Sequence, residues 1–407
     1  MDSFISKNRL ILGIITGVLM GGVVGSFFPE FGTRAQIIGE LFLNALKMVV
    51  LPLIIVSITL SIMKIGNLGS LGLKTIAYYA ATTAIAVSIG IVVVTAVQPG
   101  AGSEIFSASM PEVVKSKEGF GVTDILRQIS TPNLFKSAYE FQILPIIIAS
   151  LLFGIAFGKL KKENQLILEL LETMDKAIMK IVHWIIALTP IGIFGLIAGK
   201  IGEAGGGNEV LEMATQLGKY VFCVLIGLLI HGFVILPLLL RILSGRNPVT
   251  YLKDMSESLL TAFSTASSSA TLPLTITNTT ENAGVSPKIS KFVLPLGATV
   301  NMDGTALYES VAVIFIAQSY GITLGEGELI VIFLTATLAA IGAAGIPEAG
   351  LVTMVLVLQA VGLPIEGIGI ILAIDWFLDR FRTTVNVWGD SIGAAVIEKL
   401  EPDKNTV

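Results

Sequence analysis

The sequence predicts an integral membrane protein built of helices. Of its 407 residues, 53% are hydrophobic and 42 are glycine, whereas only 14% are charged. Soluble domains have about 25% charged residues, and even a large one keeps a polar exterior. Apolar runs near the length that crosses a bilayer recur along the chain. The composition therefore favours a chain that crosses the membrane several times.

Charge and cysteine content exclude two other classes of protein. The formal net charge of −4 gives no basis for binding nucleic acid. A single cysteine, Cys223, excludes an intrachain disulfide framework. Lys7 and Arg9 precede the first apolar run, but no small-residue cleavage signature is followed by a soluble mature domain. We therefore expect this span to be retained.

Hydropathy over a window of about 19 residues predicts six spans in the first part of the chain. They are Leu10–Phe28, Leu41–Met63, Ile76–Val97, Ile143–Phe157, Ile178–Ile201 and Tyr220–Leu243. The proline-containing stretch Gln98–Phe135 reads as a surface loop. Basic residues fall mainly on alternate sides of the spans, which places the N-terminus in the cytoplasm.

After Asn247 the apolar segments are interrupted by polar and small residues. One interrupted segment is centred on Ser267–Pro273 and precedes a span containing Asn301–Gly304. A second is centred on Gly342–Gly350 and precedes a span from about Ile368 to Val396. Irregular backbone at membrane depth must line a cavity or be buried in protein. Paired interruptions in corresponding units point to the substrate site of a transporter.

The final span carries a polar stripe. At about 100° per residue, its members fall within an arc of roughly 80°. They are Asp375, Asp379, Arg382, Asn386 and Asp390. Thr383 lies on the same face, and Arg380 should flank it. Ionisable residues this deep in an apolar span usually face a pathway or a partner; a solvated face or internal ion pairs are the alternative.

Carboxylates outnumber cations in these spans. Only Arg380 and Arg382 oppose five acidic side chains. The acids are Asp303, Glu309, Asp375, Asp379 and Asp390. The surplus must be protonated, exposed to a wet cavity or matched by bound cations. Sodium suits the oxygen ligands that this region offers, which come from Asn301, Asp303, Asn386 and Asp390. His183 and His231 are isolated, and we expect them to be ordinary span residues.

Arg382 suits a different ligand. A buried guanidinium can hold a ligand carboxylate through a bidentate fork, which implies an anionic substrate. Asp379, one turn earlier, could bind an ammonium group, so the pair suits an acidic amino acid. The alternative is that Arg382 only neutralises Asp379 or Asp390. Ser267, Ser268 and Ser269 offer hydroxyl and N–H groups to a carboxylate, or form a polar linker.

Four motifs resemble the dicarboxylate/amino acid:cation symporters, the glutamate transporter family. They are SSSATLP, LPLGATVNMDGTALYE, AAIGAAGIPEAGLVTMV and DWFLDRFRTTVNVWGD. The resemblance covers essentially the whole chain. It implies an all-α homotrimer with eight transmembrane helices, two re-entrant hairpins, inverted repeats and an elevator mechanism. It also implies a scaffold from residues 1–70 and 99–205, and a transport domain from residues 71–98 and 206–407, with the second hairpin as the gate.

The resemblance further implies roles for individual residues. The expected substrate contacts are Arg382 on the side-chain carboxylate and Asp379 on the amino group, with Thr305, Thr383, Asn386, Ser268, Ser269 and Gly345. One sodium site would use Gly297, Asn301, Asn386 and Asp390. A second would use Tyr79, Thr82, Thr83, Asn301 and Asp303. A third would use Thr299, Ala340, Ile341 and Ala343, largely through backbone carbonyls.

Three residues choose among subfamilies. Asp390 favours sodium, because proton-coupled bacterial relatives tend to carry asparagine there. Asp379 favours amino acids over dicarboxylates, and Arg382 favours acidic over neutral amino acids. We therefore expect a sodium-coupled symporter of L-glutamate and L-aspartate in a bacterial inner membrane, with both termini cytoplasmic and lipid around it. A proton-coupled carrier of acidic amino acids or C4-dicarboxylates is the alternative; no enzyme motif or nucleic-acid partner is expected.

Glu309 and Arg380 resemble residues of the animal excitatory amino acid transporters. In potassium-coupled members, the acid at the position of Glu309 carries a proton inward, and potassium returns the empty carrier. We expect proton and potassium coupling here, with a structural Glu309–Arg380 pair as the alternative. Glu348 replaces a glutamine or glycine of relatives, and we expect it to be solvent-exposed.

Overall fold

A computed structural model of the chain describes residues 9–66, 69–102, 131–140, 142–160, 164–203, 209–341, 345 and 347–401. Within these ranges the chain is helical and contains no strand. Most of the predicted loop Gln98–Phe135, together with Lys7 and Ala343, lies outside the described residues.

The first half of the described chain consists of helices that are mostly apolar. They are α1 (Arg9–Phe27), α2 (Pro29–Leu53), α3 (Thr59–Gly66), α4 (Gly69–Val97), α5 (Leu134–Tyr139), α6 (Ile143–Lys159), α7 (Asn164–Ile186) and α8 (Thr189–Glu203). A π-helical turn, Ile54–Ile58, joins α2 to α3 just after Pro52. Proline lacks the N–H that the regular helical ladder needs, which accounts for the local widening.

Two span boundaries differ from the sequence prediction. The second helix begins at Pro29 and not at Leu41, because proline suits the first helical turn and the polar residues that follow still form helix. The predicted span Ile178–Ile201 is wrong as a single helix: the chain bends by 51° between α7 and α8. Pro190, in the first turn of α8, cannot donate to the end of α7.

Helix α8 packs tightly against α1 and α2. At Gly195, an added Cβ would lie only 2.7 Å from the backbone N of Gly39 in α2. Small residues at such positions let helix backbones approach closely, which is the usual way that helices associate in membranes. These three helices therefore form a compact body.

The second half carries the interrupted segments. Its helices are α9 (Glu209–Ile230), α10 (Leu236–Leu239), α11 (Pro248–Thr265), α12 (Ser268–Thr277), α13 (Pro287–Val300), α14 (Asp303–Ser319), α15 (Glu326–Ala340), α16 (Ala349–Val361) and α17 (Ile368–Leu400). A π-helical turn, His231–Ile235, continues α9. Both predicted interruptions are confirmed, and the NMDG motif separates α13 from α14.

Two helical hairpins follow from these interruptions. Hairpin one is α11 with α12, and its turn contains Ala266 in the left-handed conformation (φ 50°). Hairpin two is α15 with α16, and α16 begins after Glu348, which is also left-handed (φ 61°). Ser267 caps α12 by accepting from the backbone N–H of Ala270. Each hairpin thus presents the start of a helix at its tip.

Helix α14 lies at the centre of the second half. Every residue of α14 except Gln318 is buried, including Asp303 and Glu309. An 18-residue stretch within Pro287–Ser319 is apolar enough to cross a membrane, but every residue of that stretch is buried within the protein. By length and composition, four helices of the described residues could cross a membrane, or five if the bent α7–α8 pair is one span. The chain is therefore a helical membrane protein, and the acidic residues of α14 are enclosed by protein.

Candidate functional site

The tips of the two hairpins meet. The carbonyl of Gly345 accepts a hydrogen bond from the backbone N–H of Ser269 (3.0 Å) and another from the Ser267 hydroxyl (2.7 Å). Ser268 is buried beside them, whereas the side chain of Ser269 is exposed. The structure therefore brings the predicted serines and Gly345 together at the junction of the hairpins.

Arg382 lies fully buried between two aspartates of its own helix. Its guanidinium makes ion pairs of 2.8 Å with Asp375 and with Asp379, and it stacks on the ring of Tyr308 at 3.9 Å from the centroid. Asp375, Asp379 and Arg382 are called the arginine centre below. Of the two readings of Arg382 that the sequence left open, the internal pair with Asp379 is present. Nε of the guanidinium has no hydrogen-bond partner among the described residues, so Arg382 keeps a free donor beyond these two ion pairs.

Glu348 faces the arginine centre. Its side chain is only 4% exposed, so the expectation of a solvent-exposed residue is wrong. Its backbone N–H donates to Oδ2 of Asp379 at 2.8 Å. Glu348 has a left-handed backbone conformation at the start of α16, and its hydrogen bond to Asp379 holds this helix start against α17.

A second polar cluster contains no lysine or arginine. Asn301 donates to Oδ1 of Asp390 (3.0 Å), and Thr83 donates to Oδ1 of Asp303 (2.7 Å). The hydroxyl of Thr82 lies 3.3 Å from both Asn301 and Asp303. Thr82, Thr83, Asn301, Asp303 and Asp390 are called the aspartate centre below. They bring together oxygen atoms of the type that sodium takes as ligands.

Gly297 and Tyr79 border the aspartate centre. An added Cβ at Gly297 would lie 2.5 Å from Oδ1 of Asp390 and 2.6 Å from the Tyr79 hydroxyl. Only glycine therefore lets α13 pass this close to α17 and α4. The Tyr79 hydroxyl donates to the carbonyl of Val293, which holds the ring between these helices.

Asn386 connects the two centres. Its Oδ1 accepts from the backbone N–H of Gly304, and its Nδ2 donates to the Thr305 hydroxyl at 3.2 Å. Asn386, Thr305 and Thr383 are all buried, as expected of residues that line a site. Gly304 belongs to the NMDG interruption, so one asparagine ties that interruption to the helix that carries Arg382.

The third predicted cation site lies partly outside the described residues and stays a prediction. Ala340 is buried and Ile341 is half-buried at the end of α15. The side chain of Thr299 is exposed, and its hydroxyl donates to the Leu296 carbonyl of its own helix. Ala343 lies outside the described residues.

His231 lies against the aspartate centre, a contact that was not predicted from the sequence. It is fully buried, and its Nε2 lies 3.0 Å from Oδ2 of Asp303. The expectation of an ordinary span residue is therefore wrong for His231. The sequence does contain a weak indication of this contact, because a histidine inside an apolar span needs a polar partner. Asp303, as one of the surplus carboxylates, was available as that partner.

Glu309 and Arg380 lie in different surroundings. Oε1 of the buried Glu309 accepts a hydrogen bond from Thr353 in hairpin two. Arg380 donates to the carbonyls of Phe263 and Ser264, at the end of α11. These carbonyls have no partner within their helix, so the guanidinium completes the helix end. The hydrogen bonds of Glu309 and Arg380 thus run to opposite hairpins.

Known proteins resemble this chain along nearly its full length. Excitatory amino acid transporter 1 of Ambystoma tigrinum is 37% identical, over 98% of this chain and 84% of that protein. Excitatory amino acid transporter 3 of Homo sapiens is 38% identical, over 98% and 86%. A putative sodium-dependent excitatory amino acid transporter of Caenorhabditis elegans, glt-4, is 38% identical, over 98% and 91%. Residues 9–400 match the sodium:dicarboxylate symporter family. The chain therefore belongs to that family, whose members are transporters and not enzymes.

Proposed function

We propose that the chain is a sodium-driven symporter of L-glutamate and L-aspartate. One observation carries the proposal: a buried guanidinium with a carboxylate one turn away lies close to an oxygen-rich cluster that contains no lysine or arginine. Arg382 would bind the side-chain carboxylate of the substrate, and Asp379 its amino group. Thr305, Thr383 and Asn386 would contact the remaining polar atoms, with Ser268, Ser269 and Gly345 at the main carboxylate.

The coupling ions would bind mainly at the aspartate centre. Asp303 and Asp390 bring two formal negative charges that the neighbouring hydroxyl and amide groups do not neutralise. Bound Na⁺ supplies the missing charge, because carboxylate, amide and hydroxyl oxygens are hard ligands. Asn386 then transmits ion binding to the substrate, since it bonds both Gly304 and Thr305.

The proposed architecture has eight transmembrane helices, two re-entrant hairpins and an elevator motion. Residues 1–70 and 99–205 would form the scaffold, and residues 71–98 and 206–407 the transport domain. The distribution of burial supports this division, because α14 is buried almost throughout while α7 exposes large apolar side chains. On α7 these include Leu166, Leu170, Met174 and Trp184. Such a face suits lipid and the neighbouring subunits of a homotrimer in a bacterial inner membrane, with both termini cytoplasmic.

Glu309 would couple a proton to inward transport, and potassium would return the empty carrier. Its carboxylate is fully buried and is bonded to Thr353 of hairpin two, so its protonation state bears directly on that hairpin. The test is net uptake by Glu309→Gln with and without internal potassium. Net uptake that stays normal and ignores internal potassium would contradict this coupling.

Transport in proteoliposomes tests the proposed function. Vesicles loaded with potassium would receive labelled L-aspartate or L-glutamate under an inward sodium gradient, or under an inward proton gradient without sodium. We expect uptake that requires sodium and is lost in Arg382→Ala. The matched control is Arg380→Ala, which removes a guanidinium from the same helix. Uptake driven by protons alone, or strong competition by succinate, would instead favour a proton-coupled or dicarboxylate carrier.

A further inference from the structure

Glu348 is a buried acid with an unsatisfied oxygen. It precedes the first residue of α16, and its side chain is 4% exposed. Among the residues that the structure describes, no group forms a hydrogen bond with its Oε2. Burial of a carboxyl group with an oxygen that has no hydrogen-bond partner strongly disfavours its ionised form. Solvation therefore favours the neutral acid at this position.

The charges that face Glu348 come from α17. They are Asp375, Asp379 and Arg382. The guanidinium already makes a 2.8 Å ion pair with each aspartate. Oδ2 of Asp379 accepts a hydrogen bond of 2.8 Å from the backbone N–H of Glu348, which holds the tip of hairpin two against α17. Arg382 is thus already paired with two aspartates before the charge of an ionised Glu348 is counted.

Other elements packed against α16 also carry cations. Helix α2 carries Lys47 and the exposed Arg34, and α6 ends at the exposed Lys159. The charges that act on Glu348 are nevertheless those of α17.

Helix α14 contributes Glu309, which is bonded to Thr353, and Tyr308, which stacks on Arg382. Helix α15 contributes Glu326 and Glu328, which lie in its first turn. At 1.5 Å per residue, that turn is about 20 Å from the end of the helix near the hairpin tip.

Formal charge makes the consequence definite. With Asp375, Asp379 and Glu348 ionised against Arg382, the group carries a net charge of −2. An acidic amino acid adds a further net negative charge. One proton on Glu348 removes one negative charge, and it also removes the cost of burying an unpaired carboxylate.

We propose that Glu348 is a proton-binding residue of the gate, and that it takes up a proton from solvent when hairpin two closes against α17. The proton adds to a carboxylate oxygen, and no other bond changes. Opening the hairpin exposes the acid and releases the proton. The proposal rests on the proposed function for its link to the substrate, and it is separate from any role of Glu309.

The direction of the pH effect follows from proton uptake. Because the closed state binds a proton that the open and unfolded states release near neutral pH, raising the pH disfavours closure and folding. Over the range where this exchange is complete, substrate affinity falls by about tenfold per pH unit. Glu348→Gln cannot ionise, so it removes this dependence while keeping the shape of the side chain.

The experiment compares the wild type, Glu348→Gln and Glu309→Gln as purified full-length proteins in lipid nanodiscs. Thermal unfolding of the empty protein is followed over about pH 5 to 9, and binding of labelled L-aspartate in saturating sodium is measured over the same range. We expect Tm and affinity of the wild type to fall with rising pH relative to Glu348→Gln. Glu309→Gln should retain that fall, which separates the two acids. Glu348→Ala provides a second non-ionisable side chain if the glutamine variant does not fold.

The outcomes separate the two proposals. Parallel pH curves for wild type and Glu348→Gln in both measurements would overturn the proton site, while sodium-dependent aspartate binding would still support the proposed function. A pH difference in the empty protein without any aspartate binding would support the proton site and count against the proposed function.

Discussion

The arginine centre and the aspartate centre are both buried acidic clusters, but they balance charge differently. In the first, Arg382 makes ion pairs with Asp375 and Asp379. In the second, Asp303 and Asp390 receive hydrogen bonds from neutral groups that include Thr83 and Asn301. A centre with its own cation can exchange partners with a charged ligand, whereas a centre without one needs an ion from solution. Under the proposed function, this difference would place the organic substrate at one centre and the cation at the other.

Under the proposed function, the short distance between the centres would let binding of one ligand affect binding of the other. An added Cβ at Gly304 would lie 2.5 Å from the carbonyl oxygen of Arg382, so the NMDG interruption passes directly over α17. Asn386 holds the backbone N–H of Gly304 at 2.8 Å. Ion binding that fixes Asn301 and Asp303 therefore fixes the backbone beside the guanidinium. Such mutual ordering gives a coupling free energy that must be reciprocal.

The largest expected effect comes from removing the cation of the arginine centre. Arg382→Ala leaves Asp375 and Asp379 without their partner, a change that costs about 3–5 kcal/mol in buried pairs. We expect L-aspartate binding to weaken by at least about 100-fold, as measured by isothermal titration in saturating sodium. Sodium binding should survive, because the aspartate centre is intact. Loss of both ligands in a folded variant would show that the centres are not separate.

The next effect in size comes from removing a charge of the aspartate centre. Asp303→Asn keeps the side-chain volume but deletes one of two carboxylates, so we expect the half-maximal sodium concentration for uptake to rise by about tenfold or more. At saturating sodium, the affinity for L-aspartate should recover. A matched control is Asp375→Asn, which deletes a carboxylate of the arginine centre. Equal sodium shifts in both variants would contradict the assignment of sodium to one centre.

Most residues of the two centres could be predicted from the sequence, but two of their neighbours, Glu348 and His231, could not. Helical spacing placed Asp379, Arg382 and Asp390 on one face, because α17 is a single long helix. Glu348 has a left-handed backbone conformation at the start of α16, which composition does not signal. The contact between His231 and Asp303 joins residues 72 positions apart, and no local pattern encodes it. Local periodicity thus predicts faces, whereas tertiary packing selects partners.

An intermediate effect is expected at the hydrogen bond between Thr353 and Glu309. Thr353→Val removes the donor to Oε1 of a fully buried acid at nearly constant volume, which costs about 1 kcal/mol. We expect the proton concentration or the internal potassium concentration that gives half-maximal net uptake to shift by about fivefold, without a comparable change in sodium affinity. Thr353→Ser keeps the hydroxyl and should restore the wild-type profile. A serine variant that behaves like valine would point to packing and not to the hydrogen bond.

A smaller effect is expected at His231. Its Nε2 lies 3.0 Å from Oδ2 of Asp303, whereas Thr83 donates to Oδ1 of the same carboxylate. We therefore expect His231 to help orient Asp303 for bound sodium. His231→Ala should raise the half-maximal sodium concentration a few-fold, corresponding to about 0.5–1 kcal/mol for one hydrogen bond. His231→Gln can place an amide nitrogen near the same oxygen and should recover part of the loss. Identical sodium curves for wild type and His231→Ala would remove His231 from the site.

The smallest effect should come from Arg380. This residue tests whether the position of an arginine in the structure, and not the residue type alone, defines the arginine centre. Arg380 and Arg382 are two residues apart on α17, but Arg380 is half-buried and donates to the carbonyls of Phe263 and Ser264. A cation at a helix C-terminus contributes about 0.3–1 kcal/mol. Arg380→Lys keeps this charge, so we expect L-aspartate affinity within about threefold of wild type and an unchanged pH profile in the proteoliposome assay. Arg380→Ala should lose slightly more, through looser docking of hairpin one. A loss in Arg380→Lys as large as that in Arg382→Ala would mean that the two guanidinium groups share one site, and the separation between the centres would no longer hold.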